Sequence, residues 1–324
     1  MKLLKSKLIA AIIGTIICVQ SFTPIIANAT PKEGEQYTLT IVHTNDIHGH
    51  VDNLPKYSTI IKQVKEEAEN VLVLDGGDIF LRGEFEKFQG NAEMEMLNAM
   101  GYDAWVLGNN DFRIGPSGGT TIQGNEQLQN LIKLCNFSTL CANVKMKDSG
   151  NYIENVKPYE IKNVNGMKIG IIGVTSLKPQ NRNWEENSDK IFESGEKTVA
   201  NIINEVNEQS DINIVLSHTG LAIDTYIANI EGVSAVLGAD DHFKISEPIY
   251  TTNQGRKNAP ITQNGGEENH YIGRLDLQFK YTQGNWKLTD FNGFLYDLNS
   301  VTEDSKIKNI INKYRNKNIE EKAA

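Results

Sequence analysis

Short apolar strands recur along this chain at intervals of roughly 30 residues, and each runs straight into a polar turn. Residues 37–43 alternate apolar and polar and end in Asn45-Asp-Ile-His-Gly49. Residues 71–74 stop at Gly76-Gly77-Asp78, and residues 103–107 stop at Gly108-Asn-Asn-Asp111. Between them lie helical spacings: Leu54, Ile60, Ile61 and Val64 within 53–70, then Met94, Met96, Leu97 and Met100 within 92–100. A third helix is predicted over 126–134 and a strand over 139–144. This β-α-β-α-β-α-β order implies parallel strands joined by right-handed crossovers.

The pattern then changes. Residues 159–164 and 167–174 flank Asn165-Gly166, the chemistry of a type I′ hairpin turn. Helices are predicted over 196–208 and 221–230, and buried strands over 212–217 and 235–237. Strands at 248–252, 260–263, 271–281 and 286–294 follow, and a helix over 303–316 closes the series. A partly parallel sheet with a late antiparallel set predicts an α/β fold of two mixed sheets packed face to face. Helices cover both outer faces, giving a four-layer αββα sandwich.

The start of the chain reads as a signal peptide. Lys2, Lys5 and Lys7 precede an uncharged apolar run over 8–19, and Ala27-Asn28-Ala29 is a small-x-small cleavage site. Cleavage after Ala29 predicts a secreted, extracellular protein. The rival is an uncleaved anchor, since no charge falls between Lys7 and Lys32; Pro24 and the cleavage site argue against it. No later stretch is apolar enough to span a bilayer, so no stable membrane insertion is expected after cleavage. Residues 30–324 carry no low-complexity linker and no repeat, and read as a single domain.

The formal net charge is −9, and loss of the three leader lysines takes it to −12. Such a chain gains little from counterion release, which disfavours general nucleic-acid binding. An acidic protein that handles phosphates needs a local positive charge, and a metal ion is the usual source. Cys135 and Cys141 remain after cleavage. Residues 138–144 read as a buried strand, so two buried free thiols are expected in preference to a disulfide, and no cysteine zinc pattern exists.

Chemistry-bearing residues collect at the C-terminal ends of the predicted strands: Asp46 and His48, Asp78, Asn109 with Asn110 and Asp111, His218, then Asp240, Asp241 and His242. Open α/β sheets place ligand sites at that edge. Taken singly, an Asp-x-His pair is more often a solvated turn, and a histidine after a strand is more often a satisfied core residue. Six such turns in one order change that weighing. A set of Asp, His and Asn suits two divalent cations sharing a carboxylate. Two such ions about 3.5–4 Å apart can hold a phosphate and generate the attacking nucleophile.

The blocks Val42-His-Thr-Asn-Asp-Ile-His-Gly49, Leu74-Asp-Gly-Gly-Asp78, Leu107-Gly-Asn-Asn-Asp111, Val215-Leu-Ser-His-Thr219, Leu237-Gly-Ala-Asp-Asp-His242 and Tyr271-Ile-Gly-Arg-Leu-Asp276 carry a family resemblance. In this order they resemble the catalytic domain of the 5′-nucleotidase and UDP-sugar hydrolase branch of the calcineurin-like metallophosphoesterases, over residues 37–316. The resemblance implies that Asp46, His48 and His242 bind one metal, that Asp78 bridges, and that Asn109, His218 and Asp240 bind the other. It implies in-line attack by a metal-bridging hydroxide on a phosphomonoester or small phosphodiester, with nucleotides among the substrates and nucleotide catabolism as the setting.

Three departures bear on this. Asn110 stands where the family has a histidine thought to assist the leaving group, with Asp111 as its orienting acid; loss of general acid help costs about 10²–10⁴-fold. Asp240 replaces the first histidine of a His-x-His block. The ions open to the site are manganese, magnesium, zinc, iron and calcium, and the oxygen-rich second half shifts preference towards manganese, magnesium or calcium. Asp241 competes with Asp240 for that role. Third, the C-terminal domain whose aromatics clamp the base in family members has no counterpart in this sequence. Two readings stand: a hydrolase, or a homologue that keeps its metals and binds a phosphate ligand or partner without turnover. His43 is expected to anchor the end of the first strand, His50 and His270 to lie in loops, Arg274 and Asp276 to pack a strand end, and Trp105 to sit in the core.

Overall fold

Alternation along the strands sets up three apolar layers. In the computed structural model, which describes residues 30–113, 123–178, 187–253, 256–266 and 270–323, the strands are β1 (Gln36–Thr44), β2 (Val71–Asp75), β3 (Ala104–Val106), β4 (Ser138–Leu140), β5 (Val144–Met146), β6 (Tyr159–Val164), β7 (Met167–Thr175) and β8 (Lys190–Phe192). They continue as β9 (Ile212–His218), β10 (Ala235–Gly238), β11 (Thr252–Asn253), β12 (Arg256–Lys257), β13 (Ile261–Thr262), β14 (Tyr271–Thr282) and β15 (Asn285–Asp297). The signal segment, residues 1–29, lies outside the described residues.

One sheet has the order β15-β14-β1-β2-β3-β4, with β1 to β4 parallel and the β14–β15 hairpin antiparallel at its edge. The second has the order β13-β10-β9-β7-β6, parallel except for β6. Leu39, Ile41, Leu72 and Leu74 of the first sheet meet Ile169, Ile171, Ile214 and Leu216 of the second in a shared buried cluster. The intervening residues point outward, as a period of two requires. Val42, Val73 and Trp105 pack under helices Leu54–Glu67, Asn91–Met100, Gln123–Leu134 and Ser305–Ala323. Ile172, Val174 and Val215 pack under Gly195–Asn207 and Leu221–Ile227. Helix, sheet, sheet and helix are the four layers expected.

Two predicted strands differ. The strand expected over 139–144 divides into β4 and β5, because Asn143 takes the chain out of the sheet: its amide accepts from Thr175 N and donates to the carbonyls of Thr175 and Glu193, each at 2.8 Å. Cys141 is buried and Cys135 only half-buried, and both thiols are free. The strand expected over 248–252 reduces to a bridge between Ile249 and Ile261 beside the short β11–β12 ladder. Proline at 248 removes a ladder donor there.

Candidate metal centre

All the strands that feed the site end at one edge, and their loops are tied together by backbone hydrogen bonds. Asp46 N donates to Gly77 O, His48 N to Asp78 O and Gly49 N to Ile79 O, each at 2.9 Å. Close approach forces glycine at two points. A Cβ on Gly77, which sits at φ +92°, would lie 2.6 Å from Gly108 N, and one on Gly108 would lie 2.2 Å from Asp78 Oδ1. Asp46, His48, Asp78, Asp240 and His242 all adopt positive φ, between 48° and 82°. Non-glycine residues pay about 1–2 kcal/mol for that conformation, and such strain gathers at functional sites.

The strain aims side chains inward. Asp46 Oδ2 accepts from Asn45 Nδ2 at 2.7 Å and Asp240 N at 3.0 Å. Its other oxygen, Oδ1, is buried and accepts no hydrogen bond. Around Oδ1 stand the Nε2 atoms of His242 at 3.2 Å, His48 at 3.8 Å and His218 at 3.9 Å. Asp78 Oδ2 lies 3.7 Å from His48 Nε2 and 3.3 Å from His218 Nε2, between the two halves. Asp46, His48 and His242 form one group, and Asp46, Asp78 and His218 a second, with ligand atoms in each within 4.8 Å of one another. Asp46 therefore belongs to both groups, which the sequence did not indicate.

Burial pushes His48 down to about 4, so its ring is neutral and able to present a lone pair. Burial opposes charge on His218, yet Asp78, Asp46 and Asp240 outweigh it and hold its pKa well above the ordinary value. His218 Nδ1 is 2.7 Å from Gly76 O, which points Nε2 into the cluster. On Asp78, burial acts upward, but the charges of His218 and His48 and the Asn110 hydrogen bond prevail and hold the carboxyl below the usual range.

The second half adds Asn109 and Asp240. A terminal atom of the Asn109 amide lies 2.8 Å from Asp240 Oδ1. With nitrogen there the contact is a hydrogen bond; with oxygen there, two ligand atoms face one point. Asp240 Oδ1 is 3.6 Å from His218 Nε2 and also accepts from Lys178 Nζ. Asp241 faces away: its Oδ2 accepts from Leu221 N at 2.5 Å, at the start of helix Leu221–Ile227. Geometry thus separates the two aspartates that sequence left open.

Asn110 and Asp111 take different positions from those expected of a leaving-group amide and its orienting acid. Asn110 donates twice to Asp78, from N to Oδ1 and from Nδ2 to Oδ2, both at 2.6 Å, and its Oδ1 accepts from Arg113 at 2.9 Å. The amide is turned onto the central carboxylate. Asp111 does not hold Asn110: its carboxylate accepts from Gly108 N and Asp78 N at 2.8 Å, Ile79 N at 3.0 Å and Phe80 N at 3.4 Å. It braces two ligand loops. The remaining histidines follow expectation: His43 is buried with Nε2 3.2 Å from Thr262 Oγ1, while His50 and His270 are exposed in loops. Arg274 pairs with Asp276 at 3.0 Å, and Trp105 is fully buried. Sequence reasoning passed over Arg113 and Lys178. Lys178 follows an apolar strand as the ligands do, and the same edge rule applied to cations would have found it.

The donor set fits divalent cations. Three carboxylates, three imidazoles and an amide converge, and one buried carboxylate oxygen is left without a donor among them. Two sheets delivering Asp, His and Asn to a single edge define a metallohydrolase type of site. The chain belongs to the calcineurin-like phosphoesterase family, whose model matches residues 39–244; it is a family of hydrolytic enzymes that use a divalent metal pair. The 5′-nucleotidase of Bos taurus is 28% identical over 325 residues, covering 86% of this chain and 53% of that protein. The trifunctional nucleotide phosphoesterase protein YfkN of Bacillus subtilis (strain 168) is 27% identical over 286 residues, covering 78% of this chain and 19% of that protein. The chain therefore spans about half the length, or less, of these curated relatives. The fold matches that of a 5′-nucleotidase precursor from Thermus thermophilus, with a TM-score of 0.75 at 23% identity over 87% of this chain and 59% of the other.

Proposed function

We propose that this chain is an exported, metal-dependent hydrolase of phosphomonoesters or small phosphodiesters, nucleotides among them. The observation that carries the reading is Asp46 Oδ1, buried, without a hydrogen-bond donor, and ringed by three imidazole nitrogens at 3.2–3.9 Å. Asp46, His48 and His242 would hold one ion, and Asn109, His218 and Asp240 the other, with Asp78 between them. When bound, the two ions supply charge neutralisation at the phosphoryl oxygens and activation of the attacking water.

The chain's own groups prepare that chemistry. Asn110 fixes both oxygens of Asp78, and Asp111 fixes the loops carrying Asp78 and Asn109, so both act as positioning residues. No proton donor stands at position 110, so turnover favours esters whose leaving group needs no proton. Export rests on the leader pattern of residues 1–29 and is part of the proposal, as is a single catalytic domain over 30–324. No helix among the described residues is long and apolar enough to cross a membrane.

The amide at Asn110 favours a second reading, a metal-loaded protein that binds a phosphate ligand or partner without turnover. Metal analysis of the purified chain, with a phosphatase and phosphodiesterase panel in manganese, separates the two. The proposal expects bound divalent metal and hydrolysis of p-nitrophenyl phosphate above that of its nucleotide counterparts. Bound metal with no hydrolysis of any ester favours the binder.

A further inference from the structure

We propose that Lys178 is an internal competitor for the second divalent cation, so that this half of the centre fills only by displacing the ammonium from Asp240. The inference rests on the metal-centre reading above. Lys178 lies three residues beyond the end of β7, which is the neighbour of β9 and so delivers it to the edge that carries His218. Its Nζ donates to Asp240 Oδ1. That same oxygen is 3.6 Å from His218 Nε2 and 2.8 Å from a terminal atom of the Asn109 amide. The ammonium therefore occupies a carboxylate oxygen that both His218 and Asn109 face.

Charge explains why it is there. Asp240 stands where the family pattern has a histidine, and exchanging an imidazole for a carboxylate adds one negative charge. Lys178 supplies the compensating positive one. Asp240 is almost wholly buried, with 4% of its side chain exposed, whereas 43% of the Lys178 side chain is exposed. A flexible four-carbon stem with that exposure can carry its head group into water, while the carboxylate stays in place. Asp46 and Asp78, by contrast, face imidazole nitrogens, His242 at 3.2 Å and His48 at 3.7 Å, and no ammonium occupies either carboxylate among the described residues. The second half should therefore bind its ion after the first, more weakly and with faster exchange.

The test is calorimetric titration of the chelator-treated full chain with manganese, comparing the native sequence with Lys178→Met, Lys178→Gln and Lys178→Arg. The native chain should take up two ions in separable steps. Removing the charge in Lys178→Met should tighten the second step at least tenfold, equivalent to about 1.4 kcal/mol, with the first step unchanged. Lys178→Gln carries the same expectation and guards against a local folding defect in the methionine variant. Lys178→Arg keeps the charge and should keep the weak second step. Two bound ions with a second step within twofold of native in both neutral variants would overturn the inference and leave the metal centre standing. An arginine variant as tight as the methionine one would also overturn it, since charge would not be the competitor. No manganese bound to any of the four proteins would overturn the metal-centre reading itself, and this inference with it.

Discussion

The two halves of the centre solve the same electrostatic problem in different ways. In the first, Asp46 and His242 meet at 3.2 Å with His48 3.8 Å from the same carboxylate oxygen, and a buried oxygen is left with no donor. In the second, Asp240 is already neutralised by Lys178 and sits against the Asn109 amide. One half presents its carboxylate to imidazoles; the other presents it to an ammonium. Backbone strain is common to both, since Asp46, His48 and His242 on one side and Asp240 on the other share positive φ. The difference teaches that ligand geometry and the charge already in place are separable, so on the proposed assignment the second half fills more reluctantly than the first.

The shared element should break first. Asp78 Oδ2 faces His48 and His218 at 3.7 and 3.3 Å, so on the proposed assignment Asp78→Ala removes a ligand from both halves. Turnover should fall by about 10³-fold or more, comparable to losing a preorganised electrostatic group, and neither ion should be retained after gel filtration. Retention of one ion at native affinity would show that the halves do not share this carboxylate.

Asn110→His probes the loop that carries the second half. A histidine there restores a proton donor, worth up to about 10²-fold at the lower end of general acid effects. The gain should appear with alkyl phosphates and nucleotides, and be small with p-nitrophenyl phosphate, whose phenolate leaves unaided. The two hydrogen bonds from Asn110 to Asp78 limit the gain, because the new ring must leave that carboxylate to reach a substrate. Equal acceleration of both substrate classes in steady-state assays would contradict the proton-donor account.

Asp240→Ala and His48→Ala set the halves directly against each other, since His48 belongs to the first group alone. The first should lose about one metal equivalent and keep the tighter ion. The second should weaken the tighter ion by at least about 10–100-fold, the range seen when only an outer support of a ligand is removed. Elemental analysis after dialysis reads both, and a reversed order would place the tighter ion in the second half and contradict the account. The smallest effect belongs to Asp241→Ala, which should leave metal content unchanged and cost about 1 kcal/mol in urea unfolding through one lost hydrogen bond.

Much of this was legible in the chain. The candidate ligands could be picked out because each follows an apolar strand, and a parallel sheet brings such ends to one edge. The four layers followed from period-two alternation, seen where Leu39 and Ile41 face one way and Val42 the other. What could not be read depends on φ and on partners distant in sequence. Asp240 and Asp241 are adjacent and chemically alike, and only the turn at φ +82° sends the first inward while the second caps a helix start. Asp111 sits inside a catalytic-looking block, yet its carboxylate is consumed by backbone N–H groups 31–33 residues away in sequence as well as its own loop. Asn143 ends a strand through contacts to Thr175 and Glu193 that no local pattern announces.

Diffraction from manganese-loaded crystals, with anomalous differences collected at the metal edge, tests the central claim most directly. The account predicts two peaks about 3.5–4 Å apart, one against Asp46, His48 and His242, the other against Asn109, His218 and Asp240, with Asp78 reaching both and Lys178 withdrawn from Asp240. Peaks elsewhere on the molecule, or none beside the undonated oxygen of Asp46, would contradict it.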